Sequence, residues 1–292
     1  MKNFVLPGVA EKFNVNKAIV LLKDMHPEFF YDDVNFRCFY GAFSFSVWNG
    51  GRVFGVCRRN FKEDIEMKRD FFNSRGIAIR LTMTNPLITE EHLSDTYCNL
   101  VMKMLDNGMN EVLVASPVLE KYIRENYPSF KICSSTTKCL TNLEAARQEL
   151  NNKDYIQVCL DYNLNHNKTF LEGLTQEEKD QSEFLCNAIC PPGCTARKEH
   201  YRINGVSTLN GNKNFTMPEC TIDGSTCGQA ALHYKNNITP QEIESYYEPL
   251  GFSNFKLEGR TLSDSELLLN YVRYLIKPEY YFTALDILFN ML

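Results

Sequence analysis

The sequence predicts an α/β protein whose strands close into a (β/α)8 TIM-barrel-like sheet, and three observations carry that expectation. Short runs rich in Val, Ile, Leu and Phe alternate with amphipathic runs along most of the chain. Successive β-then-α steps between residues 77 and 161 have the length that parallel strands with right-handed crossovers require. The strand candidates number eight, the count of a closed barrel.

In order, the strand candidates are Asn3–Pro7, Phe36–Gly41, Ile77–Thr84, Glu111–Ala115, Phe130–Ser134, Tyr155–Asp161, Phe184–Asn187 and Asn254–Leu257. Between them Lys17–His26, Phe61–Ser74, Glu90–Asn107, Asn142–Leu150, Pro240–Tyr247 and Asp264–Ile276 read as helices, with another from Pro117 to near Pro128. Gly76 and Gly108 stand where helices stop, and Ser116 before Pro117 reads as an N-cap. Residues 191 to 238 break the rhythm with Pro, Gly, Asn and Thr and little periodicity, as a functional loop would. No stretch has the composition of a linker. The expectation is one barrel domain, 1-292, with a metal-binding insertion, 186-238, after the seventh strand.

The chain of 292 residues is long enough to bury a large core, and its 44% apolar content is ordinary. A net charge of -5 gives no general attraction for phosphate backbones, and the basic pairs Arg58-Arg59 and Arg197-Lys198 are too short to make a patch. A nucleic-acid partner is therefore not expected. The apolar run Ala18 to Leu22 is followed at once by Lys23 and Asp24, so it reads neither as a signal peptide nor as a membrane span. A cytoplasmic protein with reduced thiols is the expectation, and the 11 cysteines are not read as a disulfide framework.

Three of those cysteines, Cys186, Cys190 and Cys194, form a C-x3-C-x3-C run against the turn Pro191-Pro192-Gly193, with Cys220 and Cys227 downstream. Clustered soft thiolates suit an iron–sulfur cluster or a zinc ion. Cys186, Cys190, Cys194 and Cys220 are the expected ligands, the last brought back by the loop. In an extended strand Cys186 and Cys190 would lie about 13 Å apart, whereas turning backbone brings such a pair within about 6 Å. The seventh strand is thus expected to end by Cys186; otherwise Cys227 takes its place. Zinc, with His200 as a ligand, and idle buried thiols are the alternatives. Cys38, Cys133 and Cys159 lie inside apolar runs and read as small core residues, while Cys57, Cys98 and Cys139 have no assignment.

Three blocks carry a family resemblance: RGIAIRLTMTNPLITEEHL, NEVLVASPVLEKYIRENYPSFKICSSTTKCLTN and GFSNFKLEGRTLSDSELLLNYVRYL. In this order they resemble peptidase family U thirty-two, the collagenase-like family. Its better-understood members are iron–sulfur proteins of the oxygen-independent hydroxylation of ubiquinone precursors, tRNA and ribosomal RNA. The resemblance implies a barrel-like α/β fold and a four-iron, four-sulfur (4Fe-4S) cluster held by four cysteines. The tight spacing of Cys186, Cys190 and Cys194 departs from most members and marks a divergent branch.

Lys256, Glu258 and Arg260, in KLEGR, close the last strand and are the catalytic candidates, because barrel strand ends face the active site. Lys256 and Glu258 alternate with Phe255 and Leu257, so both charges should face the barrel or its mouth, as a structural ion pair or as a site handling anions and protons. Arg260 suits a substrate carboxylate through its fork, and a Schiff base on Lys256 is the weaker alternative. Other strand ends supply neutral polar groups, from which Asn85, Ser135, Asp161 and Asn163 are the substrate-binding candidates. Phe43, Phe45 and Trp48 either cover the mouth or pack. Three functions compete: an iron–sulfur enzyme or subunit of the hydroxylating kind acting on a small polar substrate, with a protein partner left open; a peptidase, which lacks H-E-x-x-H and G-x-S-x-G; and a non-catalytic binding protein stapled by its metal.

Overall fold

Eight parallel strands close a barrel in the computed structural model, which describes residues 1–51, 60–211, 221–222, 225–226 and 234–292. They are β1 (Lys2–Pro7), β2 (Val34–Gly41), β3 (Ala78–Met83), β4 (Glu111–Val114), β5 (Lys131–Ser134), β6 (Gln157–Cys159), β7 (Ser182–Leu185) and β8 (Asn254–Lys256). Neighbours in sequence are neighbours in the barrel, and β8 pairs with β1 to close it, Phe4 opposite Phe255. Every one of the eight expected strands is present. Closure leaves no strand edge unpaired.

The pleat divides each strand between two environments. Phe4, Ile79, Leu81, Val112, Ile132, Phe184 and Phe255 point outward into the layer beneath the helices and form the main core. Burying each such side chain contributes about 1.5–3 kcal/mol. Inward positions carry Val5, Cys38, Tyr40 and Ala78, and also charges: Arg80, Glu111, Glu183 and Lys256. A charge can survive there only by pairing.

The helices mostly follow from a side-chain cap or an apolar stripe. They are α1 (Phe13–Met25), α2 (Lys62–Asn73), α3 (Thr96–Leu105), α4 (Pro117–Asn126), α5 (Leu143–Leu150), α6 (Lys168–Glu172), α7 (Gln176–Gln181), α8 (Arg197–Leu209), α9 (Pro240–Glu242, continued by the π-turn Ile243–Tyr247), α10 (Asp264–Leu275) and α11 (Tyr281–Met291). Ser116 accepts the Leu119 N–H at the start of α4, as its place before Pro117 predicts. The single helix expected over Glu90–Asn107 is instead a short turn, Glu90–His92, followed by α3. Asp95 interrupts it by capping Cys98 at 2.7 Å.

The stretch after β7 differs from its expectation. Residues 191 to 238 read as aperiodic, yet α8 occupies thirteen of them. Its buried face consists of Arg197, His200, Tyr201, Asn204, Gly205, Ser207 and Thr208, polar or small residues that leave no apolar stripe to detect. Two short strands, Thr221–Ile222 and Ser225–Thr226, pair antiparallel beyond it. No helix of the described residues is long and apolar enough to cross a membrane.

Candidate functional site

The floor of the barrel is an ion network drawn from five strands. Arg80 on β3 donates through Nε to Glu111 on β4 at 2.7 Å and through Nη1 to Glu183 on β7. Lys256 on β8 stands 3.6 Å from Glu183, with its ammonium 4.2 Å above the Tyr40 ring. Arg37 reaches Glu111 from below at 2.9 Å. Burial pushes the Glu183 carboxyl up, but Arg80 and Lys256 outweigh it and hold it below the usual carboxylate range. Glu111 is held down by Arg80 and Arg37 in the same way against its own burial.

Above this floor the C-terminal ends of the strands open into a small cavity of about 60 Å³. Lys256, Glu258 and Arg260 all line it, so the last strand delivers its three charged residues where the pattern placed them. Their partners differ from those expected. Lys256 pairs with Glu183 rather than Glu258, and the Glu258 carboxylate accepts the Ile189 N–H at 3.1 Å while its own N–H is bound by Asn187. Arg260 donates to Asn49 and Thr82 at 3.3 and 3.2 Å and to the Gly50 carbonyl at 3.4 Å, with Glu11 at 3.9 Å. Burial pulls Glu11 toward its neutral form against the opposing charge of Arg260.

Other walls come from tyrosines that the sequence did not single out. Tyr40, Tyr162 and Tyr201 line the mouth beside Thr136 and the expected Ser135. The hydroxyls of Tyr162 and Thr136 are buried and make no hydrogen bond. Burial, with Cys190 adding to it, raises the Tyr162 phenol despite the neighbouring Arg197, so it remains a hydrogen-bond donor. The guanidinium of Arg197 lies 4.4 Å over the Tyr162 ring and pairs with Asp161. α8 spans the top, tied down where Asn204 donates to Gly51 and where Asn85 donates to Gly205.

The remaining candidates separate by role. Asn85 is buried and spends its amide on Val47, Gly205 and Leu87, which fixes the loop after β3 against α8. Asp161 holds Arg197 and caps the turn at Asn163, and Asn163 lines a second pocket beside the mouth. Phe43 and Trp48 are fully buried, and Trp48 donates to the His92 carbonyl, so these two pack, whereas Phe45 is exposed.

β7 ends at Leu185, before Cys186, as the turning backbone requires. The three cysteines nonetheless face three environments. Cys186 follows Phe184 by two positions and shares its outward face, fully buried in the main core, where burial drives its thiol well above the ordinary value. Cys190 sits in the mouth with Tyr162 and Leu185, and Cys194 lines the second pocket. A cubane cradle needs its thiolates converging on one point, and these three in this arrangement do not converge. Among the described residues no three His, Cys, Asp or Glu side chains are grouped to hold a metal ion. Cys220 and Cys227 lie outside the described residues.

No family model and no curated protein matches the chain. Among solved structures, that of the U32 peptidase Mk0906 is similar, with a TM-score of 0.51 at 13% identity, covering 89% of this chain and 93% of that one. At that identity the likeness establishes a shared fold, a distant U thirty-two-like barrel, and nothing of the chemistry.

Proposed function

We propose that the barrel mouth binds a small polar molecule bearing a carboxylate and performs acid–base chemistry on it. The observation that supports this reading is the pair of buried hydroxyls, Tyr162 and Thr136, that line the cavity without a hydrogen-bond partner. A buried polar group left unsatisfied costs about 1–3 kcal/mol, and a ligand's oxygens would recover that. Arg260 is the carboxylate fork, since its guanidinium lines the cavity beside the Asn49, Thr82 and Gly50 oxygens and its planar donors match a carboxylate bidentately. Lys256 and Glu258 stand beside it to move a proton, Lys256 with Glu183 as its counter-ion. The 4Fe-4S cluster that the family resemblance implies enters no step, because Cys190 alone of the described ligand candidates faces this cavity.

A panel of mono- and dicarboxylates, amino acids and dipeptides, each beside its uncharged amide, tests the reading through ligand-induced shifts in melting temperature. The dipeptides include the free C-terminal carboxylate that a peptidase would meet. A carboxylate should stabilise the protein where its amide does not. Arg260→Lys should weaken that ligand tenfold or more, because a point charge cannot replace the bidentate fork. Unchanged affinity together with a lowered melting temperature would reduce Arg260 to a structural role and remove the proposal.

A further inference from the structure

We infer a second ligand site, for a phosphate-like oxyanion, at the N-terminus of α8. The pocket there is separate from the mouth and is lined by Cys139, Thr141, Asn163, Cys194, Arg197 and Lys198. Its volume is about 480 Å³, and it opens to solvent.

Two independent features point to an anion. The first is the helix end itself. α8 runs for 13 residues, its N-cap is Ala196, and no side chain caps it. Among the described residues the N–H groups of Arg197, Lys198 and Glu199 have no acceptor, so the first turn presents bare donors at the positive end of the helix dipole. The second is the Arg197 side chain, only 3% exposed. One arm of its guanidinium is bound to Asp161, but the other, Nη1, is buried without a hydrogen bond. The Cys139 thiol and the Tyr162 ring lie beside the guanidinium, close enough to feel its charge.

The surrounding charges leave the site positive. Asp161 is already neutralised by Arg197, and Glu199 is turned onto Arg202 at 2.7 to 2.8 Å. Burial keeps the Cys139 thiol in its neutral form, so it does not repel an anion. Lys198 adds a second cation at the rim. A tetrahedral oxyanion spreads its acceptor oxygens in several directions, toward the N–H groups of the first turn and toward Nη1 at once, whereas both oxygens of a carboxylate lie in one plane.

Inorganic phosphate at constant ionic strength, with chloride as the control and acetate as the carboxylate arm, tests the site in the full chain. Backbone amide resonances of Arg197, Lys198 and Glu199 should shift saturably with phosphate and at least tenfold more weakly with acetate. Lys198→Glu should weaken phosphate tenfold or more without lowering the melting temperature, because a carboxylate in the first turn suits the helix dipole. Arg197→Lys should weaken it too; Lys198→Glu keeps the test valid if loss of the Asp161 partner unfolds that variant. Arg260→Lys should leave this titration unchanged, which separates it from the mouth. The absence of a saturable shift, or an equal affinity in Lys198→Glu, would overturn the site; acetate binding as tightly as phosphate would overturn the phosphate assignment.

Discussion

Glu11 shows how a single side chain sets the character of the mouth. It arrives on the loop after β1, too far from KLEGR for any spacing rule to associate them, and stands 3.9 Å from Arg260. Burial raises its pKa, so the folded protein keeps the Glu11 proton to higher pH than the unfolded chain does. In that window the native state binds more protons, and stability must fall as pH rises upward from the ordinary value of 4.5. Glu11→Gln should therefore flatten the decline. Urea unfolding across pH 4 to 8, read as the difference between wild type and variant, isolates Glu11 from Glu248, which is also raised. Glu183 and Glu111 are depressed and have the opposite sign, adding stability that is lost only as the pH falls below 4.5. A difference curve without slope above that value would refute the assignment.

At the scale of an element, α8 decides whether the mouth is covered. It crosses the loops after β2 and β3 through side-chain-to-backbone hydrogen bonds, with Gly205 pressed against Asn85. A Cβ on Gly205 would meet the Asn85 Oδ1 at 2.5 Å, and Asn85 is itself pinned by Val47 and Leu87, so it has little room to yield. Gly205→Ala should cost about 1–3 kcal/mol by overpacking, despite the better helix propensity of Ala. The loss should appear as faster hydrogen exchange in α8 while the strands of the barrel keep their protection. Uniform protection would mean that α8 docks elsewhere. The same geometry explains why α8 escaped the periodicity that revealed the other long helices: it is held by polar contacts, and its buried face carries no apolar stripe.

Across the whole molecule the barrel is held by two different interiors. The outer layer is apolar and tolerant of exchange, whereas the lumen relies on Arg80, Glu111, Glu183 and Lys256 neutralising one another. Glu183 joins β3 to β8 across the lumen, so removing its charge leaves buried Lys256 facing a neutral amide and Arg80 with Glu111 alone. Glu183→Gln should destabilise the fold by about 3–5 kcal/mol, measured by urea unfolding, and the double variant Glu183→Gln/Lys256→Met should recover part of that. A single variant as stable as wild type would show that water, not protein, carries the charge balance.

The order of strands, their parallel pairing and the closed count of eight were determined by local pattern, because period-2 and period-3.6 burial are properties of short stretches that survive any tertiary context. The placement of Lys256, Glu258 and Arg260 at the mouth was legible for the same reason, since alternation and strand polarity fix where a strand end points. The outward burial of Cys186 was not legible: turning backbone after the seventh strand was expected to bring it beside Cys190, and it packs in the main core instead. Tertiary structure alone decided the partners. Arg80 meets Glu183, 103 positions away, and Arg260, just past β8, meets Thr82 on β3. Which cysteines face the same space, and the arrival of Glu11, Tyr162 and Arg197, depend on how the loops return across the barrel, and loop closure couples residues whose separation in sequence carries no periodic signal.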